Sequence, residues 1–334
     1  MKNQLLKVME GKDLSEDEAA NMLALMAETD NYAQAGALLA ALEIKGESVS
    51  ELTGAARYLR RNVVPIKVGR PCVDVVGTGG DGGISFNVST TAAFVAAGAG
   101  AIIAKHGNRA VSGKSGAADV LAELGYNLDV TPEAVERIIQ NIGICFLFAR
   151  ALHPVMGKVA PLRKALGIHS IFNLLGPLTN PANAEGIVLG VWKRDLITLF
   201  AETLKELGTK RAMVVHSRDG LDEISSIAPT DYARLYDGKI ELGVIAPEEL
   251  LQKSETEGGI EGGTPAENAA ILKSILSGRD RTAKRGIVLL NAAATCMVAG
   301  LGQNMRECLA LARKSIDSGE AFRKMELLVK ESYR

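Results

Sequence analysis

The chain has 334 residues, 47% of them apolar, with 38 Lys+Arg against 39 Asp+Glu and a formal net charge of −1. That length accommodates about two domains with a large buried core, and the apolar fraction excludes a disordered chain. The charge balance argues against a general nucleic-acid or membrane-surface binder and leaves only local basic clusters to consider.

The N-terminal segment reads as helices alone. Leu5, Leu6, Val8 and Met9 begin an apolar face, and Ser15 with Glu18 three residues later forms a capping box. NYAQAGALLAALEIKG and SVSELTGAARYLRRN continue at helical spacing until Pro65 ends the series. This stretch shows no chemistry and no signal-peptide apolar core, and it is expected to form a small helical domain over residues 1–68.

From Pro71 short apolar runs alternate with helical patterns. CVDVV, AIIAKHG, ICFLFA, GIVLGVW and RAMVVHS each adjoin a helix-like segment, which predicts an α/β domain with a largely parallel sheet over residues 69–334. Thr131 caps a helix with Pro132 at its first position, and Asp237-Gly238 marks a hairpin. The C-terminal part returns to helices, including a core-like GIVLLNAAATCMVAGLG. Cys72, Cys145, Cys296 and Cys308 have no CxxC spacing and read as reduced, buried small hydrophobes. The longest apolar stretches, Thr90–Ala104 and Gly286–Gly300, are too short for a membrane span, so a cytoplasmic protein is expected.

The chemistry concentrates in three loops. After the strand Cys72–Val76 come Gly77, Gly79, Gly80, Gly82 and Gly83, then a helix starting near Asn87. Glycine leaves backbone N–H groups unobstructed, and a helix N-terminus adds orphan donors with partial positive charge; together they suit a phosphate. The spacing matches neither G-x-x-x-x-G-K-[ST] nor G-x-G-x-x-G. Asp81 inside the loop needs a cation or a sugar hydroxyl beside any bound anion. The second loop, KHGNRAVSGKSG, supplies Lys105, His106, Arg109 and Lys114, hydroxyls from Ser112 and Ser115, and bare backbone at Gly113 and Gly116. Ser115 also reads as a helix cap. Two successive anion-friendly loops suggest a ligand with more than one phosphate. The third loop, HSRDGLDEIS, puts Asp222 and Glu223 beyond a strand's carboxyl end, where α/β proteins gather ligands. Carboxylates with phosphate oxygens and water are how magnesium is usually held. No Ser-His-Asp or Cys-His arrangement indicates a covalent intermediate.

DVVGTGGD, FNVSTTAAF, KHGNR, HPVMGKVAPLRKALGIHSIFNLLGPLTNP, HSRDGLDEIS and GGTPAENA stand in the order and wording of one family, and the chain resembles anthranilate phosphoribosyltransferases over nearly its whole length. The resemblance implies a small all-helical N-terminal domain, joined by helices from about residues 132–180, plus a larger α/β domain of the nucleoside phosphorylase-like phosphoribosyltransferase fold. It implies a homodimer that joins anthranilate to phosphoribosyl pyrophosphate (PRPP) in tryptophan biosynthesis, releasing pyrophosphate, with Mg2+ as cofactor at two ions per subunit. Carried over residue by residue, the PRPP contacts are Gly77, Gly80, Asp81, Ser85, Asn87, Val88, Ser89 and Thr90. Lys105, His106, Gly107, Asn108, Arg109, Ala110, Val111, Ser112, Gly113 and Ala117 continue them.

Gly77, Asn108 and Arg163 match anthranilate contacts, and Ser89, Asp222 and Glu223 match metal positions. A guanidinium at Arg163 can pair bidentately with an aromatic carboxylate. His106 is a candidate to accept the amine's proton, and His153, before Pro154, can shape the pocket wall. Gly113 stands where the family often has serine, and Ser217-Arg218 lengthens the link before Asp219. A relative using another aromatic amine, a pyrimidine nucleoside phosphorylase-like enzyme and a non-catalytic nucleotide-binding protein are the alternatives. The acidic pair speaks against the phosphorylase, which needs no metal-bound pyrophosphate.

Overall fold

Four helices open the chain: α1 (Lys2–Met9), α2 (Glu16–Glu28), α3 (Tyr32–Lys45) and α4 (Val49–Arg61). In this computed structural model the described residues are 1–79, 84–110 and 113–334. The Ser15/Glu18 box is present at the start of α2, and Ser48 with Glu51 builds a second one at α4. Such boxes satisfy N–H donors that would otherwise end a helix unpaired. Glu51 does more than cap. Its carboxylate is fully buried and also accepts from the Leu14 N–H at 2.9 Å and Lys45 Nζ at 3.0 Å, tying the α1–α2 turn to α4. α4 stops at Arg61, and the extended chain past Pro65 runs onto the α/β part: Val64 N–H donates to Leu152 O and Ile66 N–H to Pro181 O.

The α/β part follows the alternation in the sequence. In order come β1 (Val73–Gly77), α5 (Val88–Gly98), β2 (Ile103–Gly107), α6 (Ala117–Glu123), α7 (Pro132–Ile142), β3 (Ile144–Phe148), α8 (Ala149–Leu152), α9 (Pro154–Leu166) and α10 (Ile171–Leu175). Then follow β4 (Gly186–Gly190), α11 (Leu196–Glu206), β5 (Arg211–Ser217), β6 (Thr230–Tyr236), β7 (Lys239–Ile245), α12 (Pro265–Leu276), α13 (Ala283–Val298), α14 (Met305–Asp317) and α15 (Glu320–Glu331).

One seven-stranded sheet has the order β3-β2-β1-β4-β5-β6-β7. Pairings from β3 to β5 are parallel, and the last two are antiparallel. The β6–β7 hairpin turns at Asp237 and Gly238, with φ of 48° and 73°, as the Asp-Gly signal requires.

Both faces of the sheet are covered. On one side α5 packs against α13 and α15, and α13 is the buried apolar segment read from the sequence. On the other side the apolar faces of α2, α3 and α4 merge with α9, α10, α11 and with Ile187, Leu189 and Val214 of the sheet. α9 lies against α2 and α3, so the helix carrying Arg163 packs with the N-terminal helices. All four cysteines are free and buried, and among the described residues no helix is long and apolar enough to cross a membrane.

One carboxylate works against this packing. Glu47, just before α4, has a buried Oε1 with no hydrogen-bond partner among the described residues, and burial raises its pKa to about 7. The folded value lies above the unfolded one, so this group favours the native state at low pH. That contribution is lost as pH rises from about 4.5 to about 7. Glu47→Gln is therefore expected to stabilise the protein by on the order of 2 kcal/mol at about pH 8 and by little at about pH 4.5. Denaturant unfolding at the two pH values checks it; an equal change at both would remove the explanation.

Candidate active site

The strand order reverses at β1, since the chain proceeds from β1 outward to β2 and β3 and then returns to β4 on β1's other side. Crevices for ligands form at such switch points, outside the strand carboxyl ends. Here Gly77 ends β1 directly beside Gly190 at the end of β4. The loop after β5 folds back over both. A Cβ on Gly77 would lie 2.6 Å from Asp222 Oδ2, and a Cβ on Gly190 would overlap the Asp222 carbonyl oxygen. Two of the glycines at the sheet edge thus admit a neighbouring loop of the same chain.

Asp222 reaches the glycine loop from the far side. Its Oδ2 accepts from the Gly79 N–H at 2.8 Å and from Thr78 Oγ1 at 3.4 Å, with Gly79 at φ +71°. Glu223 does the same for α5, where Oε1 accepts from the Ser89 N–H at 3.1 Å. The acidic pair therefore occupies donors from both the loop and the helix N-terminus. Lys105 lies beneath, donating to Val75 O at 2.7 Å and to Ser89 Oγ at 3.4 Å. Burial pushes its pKa down, while Asp74 and Glu223 pull it back up. Asp74 is wholly buried on the adjacent strand and is itself pushed up by burial, with Lys105 opposing.

Asn87 is the cap residue of α5 by position, yet its side chain makes no capping bond. Oδ1 instead accepts from Ser115 Oγ at 3.2 Å and Asn268 Nδ2 at 3.0 Å, and Nδ2 donates to Ser115 O at 3.2 Å. Ser115 is correspondingly not the cap of α6, contrary to the sequence expectation. Gly116 holds that position, and Asp119 accepts the Gly116 N–H at 3.0 Å. The same carboxylate accepts from Ala110 N–H at 2.9 Å and from Arg109 at 2.7 Å, so it gathers the second loop around itself.

The remaining sequence-nominated positions fall in different places. Val88 and Thr90 are buried in α5, and Thr90 Oγ1 has no hydrogen-bond partner among the described residues. Gly107 packs tightly, since a Cβ there would sit 2.9 Å from Phe146 and 3.0 Å from Ala117. Asn108 and Gly113 are exposed, and Ala117 opens α6. Ser85 forms an isolated antiparallel bridge with Glu261. Gly80, Asp81, Val111 and Ser112 lie outside the described residues.

His106 and His153 meet with their Nε2 atoms 3.0 Å apart, both rings buried. The two Nε2 atoms share one hydrogen bond, in which one ring donates and the other accepts. Burial lowers His106 to about 3 and His153 to about 4, leaving both neutral. A buried ring bonded to a second buried ring suits a strut between β2 and the start of α9 better than a proton acceptor.

Arg163, one helix along, is half-buried, and its guanidinium lies 5.5 Å from the Phe172 ring centroid. Burial lowers its pKa, and none of the ion pairs found among the described residues includes it. A cation held over a ring, with no ion-pair partner among the described residues, can receive an anion.

The donors fit a divalent cation. Asp222 and Glu223 are hard oxygen ligands, 5% and 8% exposed, and the Ser89 backbone adjoins them. Among the described residues no cluster of three or more His, Cys, Asp or Glu side chains could hold a metal alone. A cation there would need oxygen ligands from substrate and water, which is how magnesium binds beside phosphates.

Two family models cover the chain: a glycosyl transferase family helical bundle domain over residues 2–63, and the a/b domain of that family over residues 69–322. The anthranilate phosphoribosyltransferase of Symbiobacterium thermophilum is 49% identical over 100% of this chain and 98% of its own length. This chain belongs to the anthranilate phosphoribosyltransferase family. The enzyme of that name from Bradyrhizobium diazoefficiens is 44% identical, with 98% of each chain covered. In structure, the Thermus thermophilus anthranilate phosphoribosyltransferase superposes with a TM-score of 0.91 at 41% identity, covering 99% of both chains. The Saccharomyces cerevisiae anthranilate phosphoribosyltransferase in complex with PRPP and Mg gives 0.86 at 29% identity, covering 100% of this chain and 99% of the other. The α/β fold with a helical N-terminal domain is thus shared with solved family members.

Sequence reasoning missed several residues that organise this family site. Asp74 accepts the His106 N–H at 3.0 Å and Asn180 Nδ2 at 2.7 Å, and Asn180 also donates to Ala104 O at 2.8 Å. Asp74 stands inside an apolar strand run, where a charge without a partner would be costly; that was the available signal. Gly190 and Asn268 had no such signal, because Asp222 and Asn87 lie far from them in sequence, whereas Asp119 bonds residues only three to ten positions away and stands where the carboxylate of a capping box would. For the histidines, neither His106 nor His153 should titrate between about pH 5 and 8. Histidine ring signals in NMR spectra across that range check it; a transition near pH 6.5 at either would contradict their neutral, mutually bonded state.

Proposed function

We propose that this chain transfers the phosphoribosyl group of PRPP to the amine of anthranilate, giving N-(5-phosphoribosyl)anthranilate and pyrophosphate in tryptophan biosynthesis. The observation that carries it is the convergence of Asp222 and Glu223 on the glycine loop and the start of α5, with Lys105 beneath them. The same carboxylates cover the donors that would receive a diphosphate, so the site needs positive charge to arrive with the anion. Mg2+, at two ions per subunit near Ser89, Asp222 and Glu223, would neutralise charge on the departing pyrophosphate.

In this proposal a C–N bond forms at the anomeric carbon as the C–O bond to pyrophosphate breaks, and the electron pair leaves with the diphosphate. The aryl amine is neutral at physiological pH and needs no prior deprotonation; it loses one proton after attack. The chain's own residues orient and exclude. With a cation drawing on the Asp222 and Glu223 carboxylates, the Gly79 and Ser89 N–H groups that these now hold would turn to the phosphates. Arg163 takes the anthranilate carboxylate, Asn108 borders it, and His106 with His153 holds α9 against β2. Much of the rate then comes from proximity.

The proposal extends to a homodimer, which the exposed apolar side chains Leu6, Met9 and Ile44 on α1 and α3 support. It places residues 1–68 in one lobe with α9 and α10, supported by the packing of α9 on α2 and α3 and of α10 on α3 and α4; α7, also within the expected 132–180 stretch, packs instead on β3 and α15 and belongs with the α/β part. The cellular setting proposed is the cytoplasm.

Mixing the protein with PRPP, Mg2+ and anthranilate and following anthranilate fluorescence tests the activity; a decay is expected, and a steady signal would defeat it. Arg163→Ala should raise the anthranilate KM by roughly tenfold to a hundredfold and the PRPP KM far less. Equal rises in both would show that Arg163 is not the carboxylate clamp. Glu223→Gln should shift the magnesium dependence of turnover to higher concentrations while preserving the fold by circular dichroism. A superimposable magnesium titration would remove Glu223 from the metal site.

A further inference from the structure

The segment that leads into α5, residues 84–86, has a back support that its sequence does not announce. Residues 84–86 lie on a strap formed by residues 257–263: the Gly262 N–H donates to Ile84 O at 3.0 Å, the Phe86 N–H to Ile260 O at 3.4 Å, and Ser85 bridges Glu261. The fit is close, because a Cβ on Gly262 would sit 2.6 Å from Phe86 Cα and 2.7 Å from its nitrogen.

The strap is anchored at both ends. Upstream, Glu255 is 3% exposed and pairs with Arg313 through two hydrogen bonds. The Ala283 N–H then donates to Glu257 O at 2.9 Å. Downstream, the Gly263 N–H donates to Asn268 Oδ1 at 2.8 Å. The other end of that amide, Nδ2, donates to Asn87 Oδ1 at 3.0 Å, and Asn268 is 3% exposed on α12. One buried carboxamide thus joins the end of the strap to the first residue of the α5 turn. Ser115 of the second loop bonds the same Asn87 oxygen.

We propose that Asn268, with the strap that ends on it, is a positioning device for PRPP. It acts through Asn87 and the backbone of residues 84–86, and rests on the proposed function for the identity of the ligand. Asn268 need not touch the substrate. Its two ends are chemically distinct, an acceptor for the strap and a donor for Asn87, and no acidic or aliphatic side chain of the same size offers both.

Asn268→Asp keeps the acceptor for Gly263 and replaces the donor facing Asn87 with a second oxygen. Gly262→Ala leaves that amide intact and pushes the strap off Phe86. Both are expected to raise the PRPP KM about tenfold, with the anthranilate KM changed less than about twofold. Thr131→Ala, which removes the N-cap of α7, serves as a control that lowers Tm without moving either KM. Hydrogen exchange in the peptide covering residues 84–91, read without substrate, should be faster in both strap variants. If the wild-type protein fails to turn over anthranilate, the functional proposal fails while the exchange result still decides whether the strap holds the loop. Unchanged exchange, an unchanged PRPP KM, or equal rises in both KM values in the variants that fold would overturn the positioning role. Should Asn268→Asp fail to fold, Gly262→Ala and Asn268→Ser carry the same comparison.

Discussion

Backbone N–H groups at the end of β1 and at the start of α5 need acceptors, and the Asp222-Glu223 pair supplies them from a loop that begins two strands away. The nearly buried carboxylate of Glu223 against the N-terminus of α5 is favoured by the partial positive charge there, and Asp222 answers the loop donors of Thr78 and Gly79. The pair also sets the terms for any ligand. An anion approaching the same donors meets negative charge already in place, so phosphates must come with cations. The requirement for a divalent ion, under the proposed function, follows from how the chain satisfies its own hydrogen bonds.

That constraint accounts for features elsewhere in the sheet. Gly77 and Gly190 are side by side because a Cβ on either would push Asp222 out of reach. Lys105 is buried where its ammonium can answer both Asp74 and Glu223, and Asp74 in turn holds His106 and Asn180. A buried charge left without its partner is strongly destabilising, so these groups form one unit. Through His106 and His153 the unit reaches α9, the helix that carries Arg163 and packs on the N-terminal bundle.

Much of this organisation was legible in the linear sequence. The capping boxes, the Asp-Gly hairpin, the strand and helix alternation and the buried α13 all depend on residues within a few positions of each other, where local rules operate. Asn87 and Ser115 were legible as polar positions in the right loops, but their use was not. Asn87 opens α5 without capping it, and Ser115 bonds Asn87 where a helix cap was expected. In both cases a partner from another loop outcompetes the neighbouring backbone.

By itself, the sequence determined the class of fold, the three loops that meet at the strand ends and the family to which the chain belongs, because spacing and glycine placement report on local backbone geometry. Only the tertiary structure decided which donors the acidic pair covers, that His106 meets His153, and that Asn268 of α12 bonds Asn87 at the start of α5. Those bonds span 47 to 181 residues of chain. No local pattern encodes a contact of that length; it exists once the sheet order has brought the strand ends together.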